Sequence, residues 1–194
     1  MNILVLGPQG SGKGTQAKRL HATYGIPHIA TGDMIREMKE VPDELGRELK
    51  DVYDRGDLVD DALMIRLIRS RLSRGDTVSG FVLDGFPRTM AQAEALDALL
   101  RELDRDLDVV FDFQVPERGV LMERMLGRAA EEGRSDDTPE AIARRLELYE
   151  RETAPLVDYY RTHQANVVGI HADRSVEEVF AEIQRSLESV EARA

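Results

Sequence analysis

The stretch Gly7-Pro8-Gln9-Gly10-Ser11-Gly12-Lys13-Gly14-Thr15 constrains the fold of this chain more than any other feature, because of what flanks it. An apolar run, Ile3 to Leu6, precedes it, and a helical pattern opens near Lys13. Glycines in such a loop let the backbone turn its N–H groups inward around an anion, and the following helix adds the positive end of its dipole. Lys13 then supplies a point charge to the β- and γ-phosphates of a nucleotide. Gly14 separates Lys13 from Thr15, a departure from the plain G-x-x-x-x-G-K-S/T spacing, yet the strand, loop and helix succeed one another as the motif requires. The loop alone leaves open a kinase, a motor, a GTPase or a passive nucleotide sensor.

Three further apolar runs rich in β-branched or aromatic residues follow: Phe81 to Leu83, Val109 to Val115 and Val167 to Ile170. A weaker candidate is Pro27 to Ala30. Short, nearly continuous runs are the pattern of strands buried on both faces of a parallel sheet. Between them the period turns helical. Arg88 to Leu103 places Ala91, Ala95, Leu96, Leu99, Leu100 and Leu103 on one side, and Val176, Val179, Phe180, Ile183, Leu187 and Val190 do the same after Ser175. Ser175 reads as the N-cap of that last helix, with Glu178 closing a capping box. Strands alternating with helices give an α/β fold with helices on both faces of the sheet. Thr31 to Gly75 is mostly helical and reads as a lobe inserted between two strands. Gly127 to Thr138 is polar, glycine-bearing and aperiodic, and reads as a mobile surface loop.

Composition narrows the function. Hydrophobic residues make up 42% of 194 positions, enough for a core in one domain. There is no cysteine, which excludes a disulfide framework and any Cys-ligated metal. No apolar run approaches the ~20 residues that cross a bilayer, so a cytoplasmic protein is expected. The net charge of −11 argues against nucleic acid as a partner and, taken alone, against any anionic substrate.

Phe81-Val82-Leu83-Asp84 is an apolar strand ending in a carboxylate, the layout of a residue that orients Mg²⁺ through water; helix capping is the other reading of Asp84. Gly85-Phe86-Pro87-Arg88-Thr89 and Gln92 come next. Arg36, Arg124, Arg128, Arg134 and Arg145 fall at helix ends and in the polar loop.

Taken together, these blocks resemble the adenylate kinases of the short-lid type, within the nucleoside monophosphate kinases. The residues are Gly7 to Gln16, Thr31 to Arg36, Gly56-Asp57-Leu58-Val59, Asp84 to Thr89 with Gln92, and Gly133-Arg134-Ser135-Asp136-Asp137 with Arg144-Arg145-Leu146, in family order along essentially the whole chain. The resemblance implies a P-loop-type five-stranded parallel sheet with core residues at about 1–29, 60–126 and 138–194, a monophosphate-binding lobe at about 30–59 and a lid at about 127–137. It implies ATP contacts at Gly10, Ser11, Gly12, Lys13, Gly14, Thr15, Arg128 and the backbone near Arg174. On the AMP side it implies Thr31, Arg36, Asp57, Leu58, Val59, Gly85, Phe86, Pro87, Arg88, Gln92, Arg134 and Arg145, with Arg124 clamping phosphate. The implied reaction is reversible, Mg²⁺-dependent phosphoryl transfer, ATP plus AMP giving two ADP, by a monomer without structural zinc. Asp60-Asp61 stands where Pro or Thr is common, which touches the lobe hinge and puts no contact residue in doubt.

The chemistry agrees with the resemblance. A phosphate acceptor has its second pKa near ~6, so no general base is needed, and His21, His28, His163 and His171 read as structural or surface residues. ATP and the acceptor monophosphate bring roughly −6 together. Lys13 with Arg36, Arg88, Arg124, Arg128, Arg134 and Arg145 carries +7, which leaves −18 on the rest of the chain and makes the positive field local. Asp136 and Asp137 either pair with lid arginines or cap the helix that begins near Pro139. Thr31 and Gln92 match the positions that favour adenine. A UMP/CMP-type kinase is the nearest enzymatic rival, and a non-catalytic nucleotide switch the rival of another class.

Overall fold

The computed structural model describes residues 1–134, 136–163 and 166–192. Ser135, part of the lid block quoted above, lies outside the described residues. Five parallel strands, β1 (Asn2–Leu6), β2 (His28–Ala30), β3 (Phe81–Asp84), β4 (Val109–Gln114) and β5 (Val167–His171), form one sheet in the order β2-β3-β1-β4-β5. All the candidate strands are present, the weak one included. Alternation along each strand feeds two cores. Leu4, Leu6, Phe81 and Leu83 point to one face, and Ile3, Val5, Val82 and Phe111 to the other.

Helix α1 (Lys13–Tyr24) and helix α9 (Val176–Glu191) cover the second face, through Ala17, Leu20, Val179, Phe180 and Ile183. The capping box at Ser175 and Glu178 is formed at the start of α9. The first face is covered by α4 (Asp61–Leu72), α5 (Met90–Glu102) and α8 (Leu156–His163), with Ile68, Leu96, Leu99 and Tyr160 buried against the sheet. Helices α2 (Thr31–Lys39) and α3 (Glu44–Asp54) precede α4, so the whole excursion between β2 and β3 is helical, as its composition implied.

One expectation fails. The polar stretch from Gly127 is not a loop at its start: α6 (Arg118–Glu132) runs through it, and only residues 133–138 separate it from α7 (Pro139–Leu148). Ala129, Ala130, Glu131 and Glu132 are strong helix formers, and they outweigh the glycine before them. Gly133, at φ 64, then ends α6 with a left-handed cap.

Candidate active site

The site lies beyond the C-terminal ends of the central strands, where open α/β sheets leave a crevice. A cleft of about 480 Å³ opens there, floored by residues Gly10 to Thr15. Gly10 and Gly12 take φ of 82 and 87, and Gly12 caps α1 without any side-chain hydrogen bond. The first N–H groups of α1 are thus left to an anion. The buried Ser11 Oγ in the same loop has no hydrogen-bond partner among the described residues. A Cβ added to Gly14 would stand 3.2 Å from Asp84 Oδ2. The extra glycine between Lys13 and Thr15 therefore keeps the space beside that carboxylate open.

Asp84 ends β3 and caps no helix, since α5 is capped by Thr89. Burial pushes the Asp84 pKa up, but the hydrogen bond to His28 and the charge of Lys13 outweigh it and hold the group below its ordinary value. An ionised carboxylate facing a phosphate cradle fits Mg²⁺ held through water, and Thr15 borders the same cleft. Lys13 is lowered to about 8, first by burial and then by Arg88 and Arg128, with Asp84 pulling the other way. It keeps its charge at neutral pH.

Across the cleft stand the arginines. Arg88 reaches in from the turn after β3, its Nε donating to Gly85 O at 2.8 Å, and its burial lowers its pKa. Arg36 on α2 donates to Tyr53 Oη at 2.7 Å and pairs with Asp33. Arg145 on α7 is buried, donates to Asp136 at 2.9 Å and to Tyr53 O at 3.1 Å, and also pairs with Asp137. Arg128 holds the other oxygen of Asp137 at 2.7 Å. Arg134 pairs with Glu132, and Arg124 donates to Ala172 O at 2.9 Å. Arg174 borders the cleft while paired with Glu182. Asp136 and Asp137 thus bind arginines, and the cap of α7 is Thr138.

A second, smaller pocket adjoins, bordered by Thr31, Leu58, Val59, Met64, Arg88 and Gln92. Thr31 donates to Asp84 O at 3.2 Å. The Asp57 carboxylate is held by Arg144 at 3.0 Å, which draws its pKa down, so its place on the pocket wall leaves that side chain already engaged. Phe86 and Pro87 border neither space; Phe86 is packed into the core beneath the site.

The sequence profile of the family described as adenylate kinase matches residues 5–165. The chain belongs to the adenylate kinase family. It is 47% identical to the adenylate kinase of Bifidobacterium longum (strain NCC 2705) over 188 residues, 97% of this chain and 100% of that one. It is 49% identical to that of Xylella fastidiosa (strain 9a5c) over 83% of this chain and 86% of the relative, and 48% identical to that of Stenotrophomonas maltophilia (strain R551-3) over 82% and 85%. Like other adenylate kinases, it is a nucleoside monophosphate kinase, a phosphotransferase. No helix among the described residues is long and apolar enough to cross a membrane.

Three residues of this adenylate kinase site escaped the sequence reading. Tyr53 sits at the meeting point of Arg36, Arg145 and Lys39, whose Nζ lies 5.2 Å from its ring centroid. In sequence it reads as one more apolar position of α3, four after Leu49. His28 is the second: it borders the cleft with Nε2 3.4 Å from Asp84 Oδ2, a structural contact at the site itself. The pairing of His28 with Val82 and of Ala30 with Asp84 in the sheet creates that contact, and no local pattern announces it. Asp61 is the third: one of the acidic pair after Val59, it accepts a hydrogen bond from the Gln92 amide at 2.7 Å.

Proposed function

We propose that this enzyme catalyses the reversible transfer of the γ-phosphoryl group of ATP to AMP, forming two ADP. The observation that carries the reading is a cleft that brings a glycine cradle together with Arg36, Arg88 and Arg145. A passive nucleotide switch has no use for that second set of cations.

In this reading Gly10 to Thr15 and Lys13 hold the ATP phosphates, and Arg128 and the backbone near Arg174 flank them. Arg36, Arg134 and Arg145 receive the AMP phosphate, with Thr31 and Gln92 beside the base. Arg88 stands between the two groups. An AMP phosphate oxygen forms a bond to the γ-phosphorus as the bond from that phosphorus to the β–γ bridging oxygen breaks. The acceptor is already largely dianionic at neutral pH, so no side chain needs to take a proton. Positioning in line and spreading of charge are the enzyme's contribution. Mg²⁺, when bound beside Asp84, neutralises phosphate charge. The lobe at 30–59 and the lid at 127–137 close over the pair and exclude water, which would otherwise take the phosphoryl group. Phosphate arriving at Arg145 and Arg128 takes the place of Asp136 and Asp137. The enzyme acts as a cytoplasmic monomer.

A coupled assay with ATP and each of AMP, UMP, CMP and GMP tests the reading. AMP is expected to give the highest kcat/KM; a higher value with UMP or CMP would replace it with a pyrimidine kinase.

A further inference from the structure

Gln92 is 2% exposed, and both ends of its amide are engaged. The backbone N–H of Arg88 donates to its Oε1 at 2.8 Å, and its Nε2 donates to Asp61 Oδ1 at 2.7 Å. A backbone N–H can only donate and an ionised carboxylate can only accept, so these two partners allow one orientation of the amide and forbid its 180° flip. Asp61 is itself fixed: Thr89 Oγ1 donates to its other oxygen at 3.0 Å. Thr89 Oγ1 in turn accepts from Gln92 N at 3.3 Å, closing a ring of contacts among the first residues of α4 and α5.

We propose that Asp61 is a positioning residue for acceptor choice: it locks the Gln92 amide so that a donor and an acceptor face the base in a fixed order. After its two contacts, the amide retains one N–H and one carbonyl lone pair. A 6-aminopurine offers a donor at N6 and an acceptor at N1, whereas a 6-oxopurine offers an acceptor at O6 and a donor at N1. Only one of these patterns matches an amide held at both ends; held by the Arg88 N–H alone, the amide flips more readily and serves both. Discrimination between purine monophosphates then resides in Asp61 as much as in Gln92. The other role open to Asp61, as the first residue of α4, would affect folding without regard to the base.

The inference rests on AMP as acceptor, and the test separates the two. The ratio of kcat/KM for AMP to that for IMP is measured in the wild type, Asp61→Ala, Asp61→Asn, Gln92→Ala and the double variant Asp61→Ala/Gln92→Ala, with the KM for ATP as a control. Asp61→Ala leaves the Arg88 N–H as the orienting partner of the amide and is expected to shrink the ratio by about fivefold or more, because one of the two hydrogen bonds that hold the amide is lost, and to leave the KM for ATP unchanged. Asp61→Asn retains an acceptor oxygen for Gln92 and is expected to hold the ratio within about threefold of wild type. In the Gln92→Ala background the loss of Asp61 is expected to leave the ratio unchanged. An unaltered ratio in Asp61→Ala, or an equal drop with and without Gln92, would overturn the assignment. If Asp61→Ala does not fold, Asp61→Ser is read in its place by the same two criteria. A wild-type ratio favouring IMP would refute AMP as the acceptor, while the change caused by losing Asp61 would still decide the role of that residue.

Discussion

The two ends of the cleft hold their cations differently. On the donor floor, Lys13 has no carboxylate within salt-bridge distance among the described residues; its Nζ donates to Pro8 O at 3.2 Å, and Arg124 donates only to backbone carbonyls. On the acceptor and lid side, Arg36, Arg128, Arg134 and Arg145 each pair with a carboxylate. The floor is built from consecutive residues whose backbone already points inward, so it needs nothing to hold it. The wall is assembled from α2, α3, α6 and α7, and an unpaired guanidinium buried among them would be costly. Asp136 and Asp137 hold the Arg145 guanidinium, and Asp137 holds that of Arg128, which keeps the wall formed; in the proposed reaction the substrate phosphate displaces them. The seven site cations are therefore not a free charge of +7, as a sum over the sequence suggests.

The contrast predicts that variants at the wall lose stability while variants at the floor lose catalysis. Arg145→Ala leaves Asp136 and Asp137 buried without their main partner, and a loss of about 3–5 kcal/mol is expected in urea denaturation. A loss below about 1 kcal/mol would break the comparison. Lys13→Ala on the floor is expected to lower kcat by about 10²–10³ with little change in stability, because it removes a donor aimed at developing charge, and Arg88→Ala, which sits between floor and wall and pairs with no carboxylate among the described residues, is expected to lower kcat by a similar factor. Near-normal turnover in either would remove the role assigned to it.

A pH profile sharpens the same contrast. With Lys13 lowered to about 8 in the free enzyme, kcat/KM for ATP should be level below that pH and fall above it as the ammonium loses its proton. Folding stability moves the other way at this residue, because the buried charge is disfavoured and its loss above about 8 relieves that penalty. Asp136, held below its ordinary pKa despite its burial by Arg145, Lys39 and Arg36, contributes stability above the unfolded value. That contribution is lost only as pH falls through its lowered folded value, so it leaves the profile near pH 8 untouched. The smallest effect is expected at the floor's one histidine: His28→Ala should keep kcat within about threefold, whereas a large loss would mean that proton transfer takes part in the reaction.

Contiguous features were legible from residues alone. The Gly7 to Thr15 loop, the strands buried on both faces and the capping box at Ser175 each depend on neighbours within a few positions. Features that depend on which helices meet were not. Tyr53 joins Arg36 to Arg145 only because α3 and α7 converge on it, and Asp61 reaches Gln92 only because α4 and α5 start side by side. The end of helix α6 is not legible because Gly127 to Glu132 carries no apolar side chain larger than alanine, which removes the period by which a helix is recognised.

The central claim is that protein carboxylates hold the acceptor arginines until phosphate replaces them. Calorimetric titration of AMP into the wild type and into Asp137→Asn tests it most directly, since that substitution preserves shape while removing the competing charge. The account predicts an AMP Kd at least about threefold lower in the variant, together with reduced stability. An unchanged or weaker affinity would show that Asp137 shapes the clamp without competing for it, and would contradict the account.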